Sequence, residues 1–329
     1  MGKKVLLVQP IHADAVAMLK EEVEVVLAEK TDEEYVKQAI KDCDAIIVRV
    51  TLLTRGIIEA GEKLQVIGRH GVGLDSIDVD AATEHHIPVI YGPGSNTNAV
   101  AEHAVALMLT LLKSVIPTHE ATTKRNDYKI RLTTRTREVR DKIIGVVGLG
   151  QIGRRFAAIC QYGFGAKIIG YDPYVTQETL QAAGLNVELY DNVDDLLKVS
   201  DFVSLHAPAT DENYQMINAR TLALMKKTAY LINTARGTLV DEAALYDALV
   251  NGQIAGVATD VFDPEPPMAD NPLFTLPNVV VTPHIAAHSE EGLRMMAVMA
   301  AQQVLQVLRG ERPPHLANPQ IWDTRRKLS

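Results

Sequence analysis

The sequence predicts an α/β protein built from two doubly wound parallel sheets, and two observations carry that prediction. Short apolar runs alternate with helical periodicities along the first third of the chain, and the alternation resumes around a glycine-rich turn, Gly148-Leu149-Gly150-Gln151-Ile152-Gly153. Such alternation implies parallel strands, because a crossover helix returns the chain to the edge it started from. At 329 residues the chain exceeds one ordinary hydrophobic core, so two domains are expected.

Taken in order, residues 5–9 read as a strand and 13–22 as a helix with Ala15, Met18 and Leu19 on one face. Residues 23–27 form a strand and 32–41 a helix. Residues 45–50, 66–69 and 88–91 continue the strand series, with helices near 54–60 and 77–85. The stretch 98–114 is apolar on more than one face, which predicts a helix buried on several sides, crossing between the domains. Strands at 142–147 and 166–170 enclose a helix at 154–162, and 230–233, 256–259 and 279–282 are further strands. A long helix covers 290–309, after which Pro313-Pro314 ends regular structure.

The glycine turn has a specific physical reading. Gly148 permits the tight turn, Gly150 lets backbone approach a pyrophosphate, and Gly153 lets helix and strand pack closely. The helix N-terminus behind them offers unpaired N–H groups to phosphates. A carboxylate about 20 residues further on can accept both ribose hydroxyls, and Asp172 falls there. Asp172 would repel a 2′-phosphate, so NAD is favoured over NADP.

Bulk properties exclude other classes. A composition 47% hydrophobic and 22% charged is that of a globular protein, and a net charge of −8 argues against a nucleic-acid partner. Arg131, Arg135, Arg137 and Arg140 cluster before the glycine turn and read as a solvated loop or an interface. Cys43 and Cys160 have neither disulfide nor metal-ligand spacing, so no metal is expected. The apolar start at residue 5 is cut short by Gln9-Pro10, unlike a signal peptide, and no apolar run reaches membrane-spanning length. A cytoplasmic location without membrane contact is expected.

Three segments carry candidate chemistry. Arg236 follows the strand 230–233, Glu265 lies in the proline-rich loop after 256–259, and His284 follows 279–282, all on one edge of the sheet. In open α/β sheets ligands bind at that edge. Singly, each has an ordinary surface role. Together, behind a dinucleotide motif, they fit hydride transfer at an alcohol carbon. A histidine takes the hydroxyl proton, a carboxylate raises its pKa and fixes its tautomer, and a guanidinium grips a substrate carboxylate with two parallel N–H bonds. The substrate would be a 2-hydroxy or 2-oxo acid.

The whole chain resembles the D-isomer-specific 2-hydroxyacid dehydrogenase family, and within it the phosphoglycerate and hydroxypyruvate (glyoxylate) dehydrogenase branch. The resemblance rests on Gly71-Val72-Gly73-Leu74-Asp75, the glycine turn, Asn233 to Gly237, Asp260 to Pro266 and Thr282 to Ala286. It implies a catalytic trio of Arg236, Glu265 and His284, and a substrate carboxylate held by the Val72 and Gly73 amides. Arg49 and Arg69 resemble positions that approach a substrate phosphate. Gln151, Ile152, Ala207, Pro208, Thr234, Ala235 and Ala286 would join the glycines and Asp172 around NAD, with Asp260 facing the nicotinamide carboxamide. It also implies a discontinuous flavodoxin-like substrate domain, residues 1–97 and 290–329, around a Rossmann NAD-binding domain, residues 98–289, and a homodimer paired through the latter. The chain's end soon after Asn318-Pro319 resembles the short form without a C-terminal regulatory domain. Ala287 stands where the family often has glycine, and His288 adds a titratable group. The alternative is a dehydrogenase-like, corepressor-like protein that senses NAD instead of turning it over.

Overall fold

The computed structural model describes residues 2–327. They form two compact units, one holding the segments up to Asn96 and from His288 onward, the other Thr97–Ala287.

In the first unit β1 (Lys4–Leu7), β2 (Glu24–Leu27), β3 (Ala45–Val48), β4 (Val66–Arg69) and β5 (Val89–Ile90) form one sheet in the order β2-β1-β3-β4-β5. Each adjacent pair is parallel. This is the flavodoxin-like order. The inner strands are largely apolar because both faces are covered, whereas the edge strand β2 is partly exposed. Leu6, Ile46, Val48 and Ile67 pack on Val36, Ile40, Ile57 and Ala81 of the connecting helices. Val5, Leu7, Ile47 and Val66 pack on Ala300, Ala301, Val304 and Leu308 of the helix Glu290–Leu308. Asp32, Thr54 and Asp78 start three of the connecting helices by accepting backbone N–H bonds.

Two expectations shift here. β5 is shorter than 88–91, since Pro88 has no N–H for the ladder. Regular structure also persists past Pro313-Pro314: Leu316 bridges Ile90 antiparallel, and Pro319–Ile321 forms a 3₁₀ turn. The buried Asn318 explains it, its carboxamide accepting from Val89 N at 2.9 Å and donating to the Ile87 carbonyl at 3.0 Å.

The second unit holds β6 (Ile143–Val147), β7 (Lys167–Tyr171), β8 (Val187–Leu189), β9 (Phe202–Leu205), β10 (Tyr230–Asn233), β11 (Gly256–Thr259) and β12 (Val279–Val281). Their order is β12-β11-β10-β9-β6-β7-β8, all pairs parallel. This is the Rossmann order with one strand added, and the order reverses between β6 and β9. The helix Thr97–Leu112 buries Val100, Ala101, Ala104, Leu107 and Met108 and packs on β10, β11, β12 and the helix Gln151–Ala158. That last helix begins three residues earlier than the expected 154 and passes into one π turn, Ile159–Gly163. Among the described residues no single helix is long and apolar enough to cross a membrane.

Candidate active site

The glycine turn has the geometry its sequence implied. Gly148 sits at φ +89°, and a Cβ there would lie 2.5 Å from Ala207 N. A Cβ on Gly153 would lie 2.0 Å from the Gly148 carbonyl oxygen, so helix and strand approach as only glycine allows. Above Gly150 there is open space, and Gly150 is the N-cap of the helix. Asp172, just beyond β7, accepts from Leu149 N at 2.8 Å and from Tyr174 N at 2.9 Å, which ties the carboxylate to the turn. Gln151 is exposed and Ile152 half-buried at the helix start.

The strand β9 was not picked out in the sequence, although Phe202-Val203-Ser204-Leu205 is an apolar run of the right length. It leads to Ala207 and Pro208 on the far side of the turn. The preceding His206 packs against Phe156 with ring centroids 5.0 Å apart and planes tilted by 46°, and burial pushes its pKa down to about 3, so it stays neutral. Ala235 and Thr234 are buried after β10, and among the described residues the Thr234 hydroxyl has no hydrogen-bond partner. An open glycine cradle, a free helix N-terminus and an orphaned buried hydroxyl fit a dinucleotide.

Three adjacent strands bring the trio to one edge. Asn233 shapes the loop of Arg236, donating to the Arg236 carbonyl at 2.8 Å and accepting from Ala235 N at 3.0 Å. Gly237 crosses the backbone of Phe262 so closely that a Cβ would sit 2.0 Å from its carbonyl carbon. The loops after β10 and β11 are thereby stacked. Glu242 holds the second, accepting from Asp263 N at 3.0 Å and Asn271 Nδ2 at 2.8 Å.

His284 Nδ1 lies 2.8 Å from Glu265 Oε2, with side chains 50% and 39% exposed. The hydrogen bond to Glu265 raises the histidine pKa above its ordinary value. Burial and the Arg236 charge oppose the rise, while the charges of Glu265 and Asp260 add to it. His284 has φ +55°, an uncommon conformation for a non-glycine residue.

Asp260 directly follows β11. It is fully buried, and its carboxylate is drawn inward by the loop after β12, accepting from Ile285 N at 2.9 Å, Ala286 N at 2.8 Å and Thr282 Oγ1 at 2.5 Å. Its side chain anchors the loop that carries His284. The sequence carried no spacing signal for Glu242 or Thr282, whose roles depend on contacts between separate elements.

Arg49, Arg69, Val72 and Gly73 belong to the first unit, at the carboxyl edge of β3 and β4. Arg49 donates to the Pro10 carbonyl at 2.9 Å, and Arg69 Nε donates to the Gly73 carbonyl at 2.6 Å, bracing the glycine loop. Cys43 and Cys160 are free and buried, and burial pushes their thiols up to about 11 and about 12. Among the described residues no group of three or more His, Cys, Asp or Glu could hold a metal.

Residues 105–286 match the family model of the D-isomer specific 2-hydroxyacid dehydrogenase NAD binding domain. The chain belongs to the D-isomer specific 2-hydroxyacid dehydrogenase family. It is 38% identical to a glyoxylate reductase of Korarchaeum cryptofilum over 292 residues, 88% of this chain and 86% of that one. It is 44% identical to a D-3-phosphoglycerate dehydrogenase of Methanocaldococcus jannaschii over 316 residues, 96% of this chain but 59% of the relative. The chain thus spans less than two thirds of that dehydrogenase's length. Among solved structures, an NADPH-dependent glyoxylate/hydroxypyruvate reductase from Sinorhizobium meliloti, in complex with NADP and malonate, superposes with a TM-score of 0.86 at 26% identity, covering 100% of both chains.

Proposed function

We propose that this family member is an NAD-dependent D-2-hydroxyacid dehydrogenase, interconverting a 2-hydroxy acid and its 2-oxo acid. The observation that carries the reading is the 2.8 Å contact of His284 with Glu265 at the carboxyl edge of a dinucleotide-binding sheet, with Arg236 on an adjacent loop. The nicotinamide, when bound, would accept the hydride in oxidation and supply it in reduction. His284 takes the hydroxyl proton during oxidation, and as imidazolium returns it to the oxo group during reduction. Glu265 holds the Nδ1 proton and leaves Nε2 for the substrate. Arg236 grips the substrate carboxylate and polarises the 2-oxo group.

Gly148, Gly150, Gln151, Ile152 and Gly153 would hold the pyrophosphate and Asp172 the ribose, with Ala207, Pro208, Thr234, Ala235, Ala286 and, towards the nicotinamide carboxamide, Asp260 completing the cofactor site. The first unit is the substrate domain, with Val72 and Gly73 for the carboxylate and Arg49 and Arg69 for the substituent. Relatives named for phosphoglycerate and for glyoxylate keep 3-phosphoglycerate, glycerate/hydroxypyruvate and glyoxylate as the substrate class. A homodimer through the NAD-binding unit fits the exposed Val115, Ile116, Tyr128 and Leu132 of that unit. A cytoplasmic enzyme is the corresponding location. The corepressor-like alternative is not favoured by relatives named for reactions.

The test is NADH consumption with glyoxylate, hydroxypyruvate, pyruvate and 3-phosphohydroxypyruvate. Turnover of at least one is expected; tight NADH binding with turnover of none of them would overturn the reading.

A further inference from the structure

A second imidazole stands behind the proton-transfer pair. His103 projects from the helix Thr97–Leu112, and its Nε2 lies 3.0 Å from Thr282 Oγ1 and 3.7 Å from the Asp260 carboxylate. Both Asp260 oxygens already accept from backbone amides, so the carboxyl acts as an acceptor and Thr282 must donate its single hydroxyl proton to it. The Thr282 oxygen is then free to accept from His103 Nε2–H. The imidazole therefore braces the hydroxyl in the orientation that Asp260 demands.

The chain of bonds ends on the residue that matters. Asp260 grips the amides of Ile285 and Ala286, and its own carbonyl accepts from His284 N at 2.8 Å. His284 at φ +55° keeps its left-handed backbone only because its surroundings impose it. Were the Thr282 hydroxyl to turn away, a fully buried carboxylate would lose one of three direct donors, which is costly in an apolar setting. The loop would relax, and with it the approach of His284 to Glu265.

We propose that His103 is a positioning residue for His284, acting through Thr282 and Asp260. The proposal rests on His284 being the proton-transfer group, but its first readout needs no turnover. The charged groups that face His284 are Glu265, Asp260 and Arg236, and the variants used here replace none of them.

The experiment follows the His284 ring by NMR titration in the full chain, its signal identified by its loss in His284→Ala. Wild type is compared with His103→Leu, His103→Gln, Thr282→Val and the double variant His103→Leu/Thr282→Val. In His103→Leu the His284 midpoint should fall toward the free-imidazole value of about 6.5 as the Glu265 bond weakens. His103→Gln, whose amide can still donate to Thr282, should stay with wild type. Thr282→Val should reproduce His103→Leu, and the double variant should go no further, since both act through one bond chain. In the oxo-acid assay His103→Leu should lower kcat about tenfold, with substrate KM changed by less than about twofold.

An unmoved midpoint in His103→Leu overturns the proposal. So does a raised one, which would mean a through-space charge, or a His103→Gln that behaves like His103→Leu, which would mean volume alone. If His103→Leu does not fold, an unmoved midpoint in Thr282→Val decides against it. A midpoint that falls as expected in a chain reducing no 2-oxo acid supports the positioning role and refutes the dehydrogenase reading instead.

Discussion

His284 and Glu265 meet at 2.8 Å although they leave different strands and are 19 residues apart in the chain. The bond raises the imidazole pKa, so the charged form persists to higher pH than in a free histidine. Reduction of the oxo acid needs the imidazolium and should hold at neutral pH, then fall as pH rises through the raised value. Oxidation needs the neutral ring and should do the reverse. Glu265→Gln removes the counter-charge and should move that limb to lower pH while partial activity remains. His284→Ala should lower kcat by about 10²–10⁴-fold with NADH binding retained. A pH–rate profile of both directions checks this, and a limb that stays in place in Glu265→Gln removes the pair from the mechanism, leaving His288 to be tried.

Arg236 sits on a loop shaped by Asn233, and part of its guanidinium is spent on the Ala235 carbonyl at 2.6 Å. Replacement by lysine keeps the charge and loses the planar fork. Substrate KM should rise steeply, by about tenfold or more if one of two parallel bonds worth about 1.4 kcal/mol is lost, while NADH affinity changes little. Steady-state kinetics beside direct NADH titration separates the two. Wild-type kcat/KM in Arg236→Lys would place the carboxylate clamp elsewhere.

The glycines make a contrast between stability and binding. A Cβ at Gly237 or Gly153 would fall 2.0 Å from backbone atoms, of Phe262 and Gly148 respectively, which cannot be accommodated without moving a loop or a helix. Gly237→Ala and Gly153→Ala should each cost upward of about 3 kcal/mol. A Cβ at Gly150 meets nothing within 4 Å, and its φ of −64° suits any residue. Gly150→Ala should therefore keep its stability within about 0.5 kcal/mol. It should nonetheless weaken NADH, because the methyl enters the space left for the pyrophosphate. Denaturation midpoints and NADH titration on the three variants decide it; a destabilised Gly150→Ala would contradict the open cradle.

Much of this was legible in the sequence because it is local. Strands buried on both faces read as continuous apolar runs, so β4, β10 and β11 fall where 66–69, 230–233 and 256–259 were read. The shared edge of Arg236, Glu265 and His284 was legible because each follows such a run, and parallel strands put all their ends on one edge. What was not legible depends on contact across the sheet. The burial of Asp260 under the β12 loop, the grip of Glu242 on Asp263 and the approach of His103 to Thr282 join residues 22, 21 and 179 apart, where no spacing rule applies. The tail beyond Pro313-Pro314 was missed for the same reason, since Asn318 finds its partners at Ile87 and Val89.

The proposed preference for NAD over NADP rests on Asp172. Its two oxygens accept from Leu149 N and Tyr174 N, which fixes the carboxylate at the end of β7, beside the glycine turn. Pro173 and the 93% exposed Tyr174 follow, and neither offers a cation to a 2′-phosphate. A phosphate there would face a negative charge instead of the hydrogen-bond acceptor that two ribose hydroxyls need. NADH should be preferred by at least about tenfold in kcat/KM, which requires only about 1.4 kcal/mol. Asp172→Asn keeps an acceptor for one of the two amides and removes the charge, so it should narrow the ratio chiefly by improving NADPH. The S. meliloti reductase of the same fold was captured with NADP. Equal kcat/KM for NADH and NADPH in the wild type, with one oxo acid at fixed pH, would remove Asp172 as the discriminating residue.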